Sequence, residues 1–266
     1  LNSSYTTIVA LNNAAKKADT IHQIIIMVEL GELREGVKRT ELMNFYESVF
    51  LLSNIDVIGI GSNLGCMYGV EPSYDKLLQL SLYEELISAK FNKDLKYVSG
   101  GTSITLPLIE NNTIPKDINH FRVGEAVFFG TSPLENKQFK ELSVDTFEFC
   151  ANIIELEEKK IVPDGVISHA NIGQTADFKE EDVNQTSIKA ILDFGLLDVD
   201  QNDIEFIDGN LEYVGITSDM LVVDIGTNTT IDGKKKYSIG DKIHFKPNYM
   251  AVARLLNSKF IDKKFE

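Results

Sequence analysis

A parallel α/β region followed by an antiparallel β domain is the fold class that this sequence predicts. Three observations carry it. Apolar strand-like runs alternate with helical patterns through the first half, the pattern changes around Ser132–Pro133, and short strand-like runs separated by turns follow.

The elements follow in order. Ser4–Ala18 is a Ser-capped, Ala-rich helical pattern, and His22–Leu30 is a near-continuous apolar run of the kind that parallel strands bury on both faces. Thr40–Ser53 reads as a helix with Leu42, Phe45, Tyr46 and Val49 on one face, and Ile55–Gly61 as the next strand. Pro72–Lys93 is a long amphipathic helix through Leu77, Leu78, Leu82 and Leu86; Leu95–Ser99 and His120–Gly130 are two more strands. Beyond the change come Thr146–Glu155, Ile188–Phe194, Leu211–Gly215, Met220–Ile225 and Lys242–Pro247, with turns such as Asp208-Gly209-Asn210 between them. The domain boundary is placed near Thr131–Asn136, giving residues 1–133 and 134–266. Four strands are too few for a closed eight-stranded barrel, and the region opens on a helix, so the chain reads as starting in mid-domain.

The bulk numbers narrow the function classes. At 266 residues, 43% hydrophobic and 25% charged, the composition is that of a soluble globular protein. A net charge of −14 disfavours nucleic acid and suits cationic small substrates. No apolar run approaches the roughly 18 residues of a membrane span, and Leu1–Ala10 has no signal-peptide pattern. Cys66 and Cys150 form no metal-ligand spacing, so no metal is expected, and the cytoplasm is the expected compartment.

In parallel α/β folds the loops after the strands hold the chemistry. Four such ends stand out: Gly31-Glu32-Leu33-Arg34-Glu35-Gly36, Gly61-Ser62-Asn63-Leu64-Gly65-Cys66, Ser99-Gly100-Gly101-Thr102-Ser103 and Arg122-Val123-Gly124-Glu125. Small residues before a helix start suit a phosphate, because backbone N–H groups and hydroxyls donate to its oxygens.

These segments, with IIIMVELGELREGV (Ile24–Val37), GIGSNLGCMYGVEP (Gly59–Pro72), SGGTSITLPL (Ser99–Leu108), INHFRVGEAVFFG (Ile118–Gly130), ITSDMLVVDI (Ile216–Ile225) and HFKPNYMAVARLL (His244–Leu256), resemble the alanine racemase family of fold-type III pyridoxal-phosphate enzymes, and within it the ornithine-racemase-like branch. The resemblance implies the C-terminal part of a (β/α)8 barrel followed by the family's antiparallel β domain. It implies pyridoxal 5'-phosphate as cofactor, racemisation of ornithine or another basic amino acid, and a homodimer in which the partner's β domain completes each site. The family's cofactor lysine sits at the end of the first barrel strand, upstream of residue 1. Lys16, Lys17 and Lys38 fall in helix or loop patterns and are not expected to replace it, so racemisation is expected of the full-length protein and not of residues 1–266 alone.

Carried over residue by residue, Arg122 matches the arginine that hydrogen-bonds the pyridine nitrogen. Ser103 matches a phosphate-binding serine with Thr102 as companion, Gly124 and Glu125 match positions whose N–H groups face the phosphate, and Tyr249 matches a β-domain tyrosine that reaches it. Asn63 stands where alanine racemases have a histidine near the ring. Arg34 matches the arginine near the cofactor's phenolic oxygen and the substrate carboxylate. Met27 replaces the modified lysine that holds this arginine, which leaves Glu29 to supply the anion. Leu196 stands where the family has its second base, a tyrosine. Asp219 is the first replacement, for proton transfer or for recognition of a cationic side chain, with Asp198, Cys66 and His169 in reserve. The competing readings are a non-catalytic carrier of the cofactor and an inactive racemase remnant. Carriers are typically a bare barrel, so the large β domain favours the racemase.

Overall fold

The computed structural model describes residues 1–169, 173–175, 177 and 182–265. The chain divides into two compact units, Leu1–Val144 and Asp145–Glu266.

The first unit opens on α1 (Tyr5–Lys17), whose N-cap Ser4 accepts a hydrogen bond from the Thr7 amide and whose last turn carries Lys16 and Lys17, where cations favour the helix dipole. Three strands, β1 (His22–Met27), β2 (Ile55–Gly61) and β3 (Tyr97–Ser99), form a parallel sheet in the order β1-β2-β3. The order is parallel because helices carry the chain back between strands: α2 (Leu42–Phe50) and α3 (Tyr74–Phe91). Ser73 caps α3 at its start, and Asn92 ends it in the left-handed conformation. Ile26, Val28, Leu42, Tyr46, Leu77 and Leu80 are buried where sheet and helices meet, and they anchor this unit's core. Each such apolar side chain contributes roughly 1.5–3 kcal/mol by leaving water.

A second, two-residue parallel pair joins β4 (Gly101–Thr102) to β5 (Phe121–Arg122), with Thr102 opposite Arg122. The strand expected over residues 120–130 is therefore strand only at Phe121–Arg122; Gly124 interrupts it, and Glu125–Phe129 is the short helix α5. An apolar run as brief as Ala-Val-Phe-Phe has no period that separates strand from helix. Helix α4 (Leu106–Glu110) lies between the two halves of the pair, and a hairpin of β6 (Thr131–Ser132) with β7 (Lys137–Gln138) follows α5.

The second unit is an antiparallel β domain whose seven strands run in the order β11-β14-β8-β10-β13-β12-β9. They are β8 (Phe149–Lys160), β9 (Gln174–Thr175), β10 (Thr186–Leu192), β11 (Ile204–Phe206), β12 (Glu212–Ile216), β13 (Leu221–Asp224) and β14 (Lys242–Pro247). Alternation sets the faces: Phe149, Ala151 and Ile153 of β8 point into the core, while Cys150, Asn152 and Ile154 are exposed. Opposite, Ile243 and Phe245 of β14 are buried and His244 is exposed. The rings of Phe149, Phe194 and Phe245 meet with centroids 4.9–5.7 Å apart and fix the centre of this core. The domain closes with helix α6 (Tyr249–Asn257), capped by the Asn248 side chain. Neither β11 nor α6 is expected from the sequence pattern. Among the described residues, no helix is long and apolar enough to cross a membrane.

Candidate active site

Parallel strands end on one edge, and in the first unit those ends converge on Arg122. Its guanidinium donates to the Ser62 carbonyl after β2 (2.9 Å), to Asn63 Oδ1 (3.3 Å) and to the Ser99 carbonyl at the end of β3 (3.2 Å). It also donates to the Ser99 hydroxyl, which in turn meets His120 Nδ1 at 2.7 Å. Every one of these acceptors is neutral, and among the described residues no carboxylate forms an ion pair with Arg122. Burial pulls its pKa below the ordinary value, the nearby Glu35 opposes that, and Arg34 adds to it. A guanidinium still keeps its proton at any physiological pH. Burial and the Arg122 charge both lower the pKa of His120, which favours the neutral imidazole. Beside the guanidinium, the Ser62 hydroxyl and Asn63 Nδ2 are buried without a hydrogen-bond partner. Polar atoms left in that state need a partner, so the site suits a ligand that brings polar groups of its own.

A second cluster lies at the adjoining strand pair. The buried Ser103 hydroxyl accepts from the amides of Gly124 (3.3 Å) and Ala126 (3.1 Å). That leaves its own proton to donate. Thr102 begins the 3-10 turn Ser103–Thr105, and its amide donates to Thr105 Oγ1 at 3.2 Å. A Cβ on Gly124 would meet nothing within 4 Å, so open space flanks the backbone here. Burial raises the carboxyl pKa of Glu125, and a carboxyl less ready to ionise sits more easily beside an anion. Serine hydroxyl, open glycine backbone and a helix start are groups that suit a phosphate.

The loop after β1 positions Arg34. Gly36, at φ +138°, brings that loop so close that a Cβ would lie 2.3 Å from the Glu29 nitrogen. Arg34 is exposed; its Nη1 lies 2.6 Å from Cys66 Sγ and its Nε 3.0 Å from Glu35 Oε2. Glu29, expected to hold Arg34, instead accepts from the Gly31 amide two residues on, and the adjacent Glu35 takes the arginine. Met27 is buried at the end of β1.

Sequence reasoning missed Glu32. Only 1% exposed, its carboxylate accepts five backbone amides from the loop after β2: Gly65 (3.1 Å), Cys66 (2.9 Å), Tyr68 (2.7 Å), Gly69 (3.2 Å) and Val70 (3.0 Å). Burial alone would raise its pKa, but the backbone donors outweigh it and hold the carboxyl below its ordinary value. The loop carrying Asn63 and Cys66 is thereby tied to the loop carrying Arg34. The signal available was a glycine-rich segment, Gly65–Gly69, whose amides lacked acceptors of their own.

The remaining candidates lie in the second unit. Exposed Asp219 sits in the turn between β12 and β13 and accepts from the Ser218 hydroxyl at 3.0 Å. The Leu196 segment runs alongside it: the amides of Leu196 and Leu197 donate to the carbonyls of Thr217 and Ser218, both at 2.9 Å. A Cβ on Gly195 would fall 2.4 Å from the Asp219 nitrogen, so only glycine allows this approach. Tyr249, half exposed, is the first residue of α6. Asp198 accepts from the Gly195 amide at 3.4 Å, and His169 is an exposed turn residue.

The family described as "Alanine racemase, N-terminal domain" matches residues 3–133. Ornithine racemase of Acetoanaerobium sticklandii is 35% identical over 265 residues, covering 99% of this chain and 73% of that protein. Lysine racemase of Thermotoga maritima is 30% identical over 261 residues, covering 96% and 70%. Among solved structures, alanine racemase of Clostridium difficile superposes with a TM-score of 0.65 at 15% identity, covering 96% of this chain and 65% of that one. Alanine racemase of Bartonella henselae with covalently bound pyridoxal phosphate gives 0.61 at 17%, covering 96% and 67%. The chain thus spans about two thirds of the length of the solved racemases, whose α/β-plus-antiparallel-β architecture it shares, and it belongs to the alanine racemase family.

Proposed function

We propose that this chain holds pyridoxal 5'-phosphate in an amino-acid racemase acting on ornithine or another basic amino acid. One observation carries the reading: a half-buried guanidinium at the convergence of strand ends, bonded only to neutral acceptors, next to a serine–glycine cluster that suits a phosphate. The cofactor supplies an electron sink that acidifies the substrate's Cα hydrogen. The Ser103 hydroxyl, oriented by the Gly124 and Ala126 amides that donate to it, and the Glu125 amide at the helix start would hold its phosphate, with Thr102 shaping the turn; the family resemblance adds Tyr249. Asn63 and the Ser62 hydroxyl face the ring. Arg122 donates to the ring nitrogen and does not surrender its proton. A donor that keeps its proton would leave the ring nitrogen of a bound cofactor unprotonated and its electron sink weak, a condition that favours racemisation over transamination. Arg34 binds the substrate carboxylate. Glu32 keeps its surroundings in place.

None of the lysines in residues 1–266 is assigned as the covalent partner of the cofactor. Lys16 and Lys17 lie in the last turn of α1, Lys38 is an exposed ion-pair partner of Glu41, and Lys76 donates to the Leu30 carbonyl. The assembly we assign is a homodimer. The two exposed thiols, Cys66 and Cys150, suit a reducing compartment such as the cytoplasm.

Basic side chains are assigned to Asp219, whose carboxylate stands exposed beside the Leu196 segment, where the family tyrosine would be. The test is chiral chromatography of ornithine, lysine and alanine incubated with the full-length holoenzyme, the form that carries the cofactor lysine. Ornithine or lysine should racemise on the order of 10-fold faster than alanine. Asp219→Asn should raise KM for the basic substrate in both directions by up to about 5-fold, the scale of an exposed charge pair worth roughly 0.2–1 kcal/mol. Loss of Cα exchange in only one stereochemical direction would instead make Asp219 a proton donor. No racemisation of any of the three would defeat the reading.

A further inference from the structure

The sequence shows no metal-ligand spacing, because the groups concerned come from two strands far apart in the chain. Glu148 stands immediately before β8 and Cys150 within it, two positions on and therefore on the same face. His244 of β14 lies directly opposite Cys150 in the antiparallel register. All three are exposed on the outer face of the sheet, and one donor atom from each lies within 4.8 Å of the others. Cys150 Sγ is 3.2 Å from Glu148 Oε1 and 3.4 Å from His244 Nδ1, and the imidazole also meets the Glu148 carboxylate directly.

We propose that Glu148, Cys150 and His244 form a binding site for a zinc-class divalent cation. Zinc binds thiolate, imidazole and carboxylate at about 2.0–2.3 Å in tetrahedral geometry, which sets its ligands roughly 3.3–3.8 Å apart. The two sulfur distances already approach that spacing, and the His–Glu contact widens to admit the ion. Binding replaces the thiol proton: the S–H bond breaks, an S–metal bond forms, and the proton passes to solvent. Imidazole Nδ1 binds through its lone pair, so the ligating histidine is neutral. A thiolate and an imidazole select zinc or cobalt over magnesium and calcium, which prefer all-oxygen sites. Three protein ligands leave the fourth position to water or another ligand. The sheet backbone preorganises the set, since β8 and β14 pair from Phe149–Phe245 through Asn152–Lys242.

The site is tested with the metals alone. Cobalt(II) added to the purified protein should give a thiolate-to-cobalt charge-transfer band saturating at one ion per chain at micromolar metal, reversed by equimolar zinc but not by excess magnesium. Cys150→Ser should abolish the band, His244→Ala should weaken zinc binding on the order of 100-fold by calorimetry, and Cys66→Ser should leave both readouts as they are. Wild-type protein supplies a readout that needs no variant: zinc should slow alkylation of Cys150 and not of Cys66, followed by peptide mass spectrometry. A missing band, zinc affinity unchanged in Cys150→Ser, saturation only at millimolar metal, or equal protection of both thiols would each overturn the site.

Discussion

Glu32→Ala should destabilise the first unit by about 3–5 kcal/mol, because five backbone amides lose their acceptor at once. Each unsatisfied donor costs on the order of 1–3 kcal/mol if it stays buried. The sum is smaller here, since exposed Met67 and Tyr68 lie in a loop that water reaches after it loosens. Glu32→Gln should recover about half: one amide oxygen still accepts, while the new NH2 group faces donors. The pH dependence has a definite sign. A carboxyl whose folded-state pKa is depressed contributes stability that is complete above its unfolded value and is lost as pH falls through the folded one. The wild type should therefore lose stability below about pH 4.5, the ordinary glutamate value, and Glu32→Ala should lack that component. Urea denaturation measures the difference, and hydrogen exchange at the Gly65–Val70 amides locates it. A change under 1 kcal/mol with unaltered exchange would show that the loop holds itself.

The larger functional effect is expected at Arg122. Arg122→Glu should lower racemisation by on the order of 10²–10³-fold, the usual scale for losing one preorganised charged donor. Transamination should appear alongside, because a carboxylate partner stabilises a protonated ring nitrogen and strengthens the electron sink. The substitution also points a carboxylate at the Ser62 and Ser99 carbonyls, which costs stability. Arg122→Lys guards against reading a folding defect as chemistry: it keeps the charge, loses the fork that spans two strand ends, and should retain low transamination with reduced racemisation. The measurement is the ratio of racemised substrate to pyridoxamine phosphate formed, by chiral chromatography and mass spectrometry. Wild-type racemisation in Arg122→Glu with no aminated cofactor would mean that Arg122 does not touch the ring.

The sequence made the sheet of the first unit legible, because Ile24–Met27 and Val57–Gly61 are near-continuous apolar runs that only a doubly covered strand tolerates. β8 and β14 were legible by alternation, and Ser4 and Ser73 marked two helix starts. What failed was short or lacked period. β11 has three residues, α5 has five, and the fourth parallel strand shrank to Phe121–Arg122 in a separate pair. α6 does carry a local signal: Asn248 followed by a run spaced Ala251, Val252, Leu255 is a capped amphipathic helix. At the candidate site, the segments with small residues and Arg122 stood out locally. The clamp by Glu32 did not, since its acceptor and donors are 33–38 residues apart. Nor did the pairing of Cys150 with His244, separated by 94 positions and joined only by strand register.

The central claim is that the strand ends around Ser103 and Arg122 hold a phosphorylated pyridine. It is tested most directly by titrating the purified protein with pyridoxal phosphate and, separately, with pyridoxal, reading binding by calorimetry. The cradle should give the phosphate ester an advantage on the order of 100-fold, from charge-assisted hydrogen bonds worth roughly 1.5–3 kcal/mol each. Ser103→Asp, which sets a negative charge among the Gly124 and Ala126 amides, should erase that advantage while leaving the weak affinity for pyridoxal. Equal affinity for the two ligands in the wild type, or an unchanged preference in Ser103→Asp, would contradict the assignment.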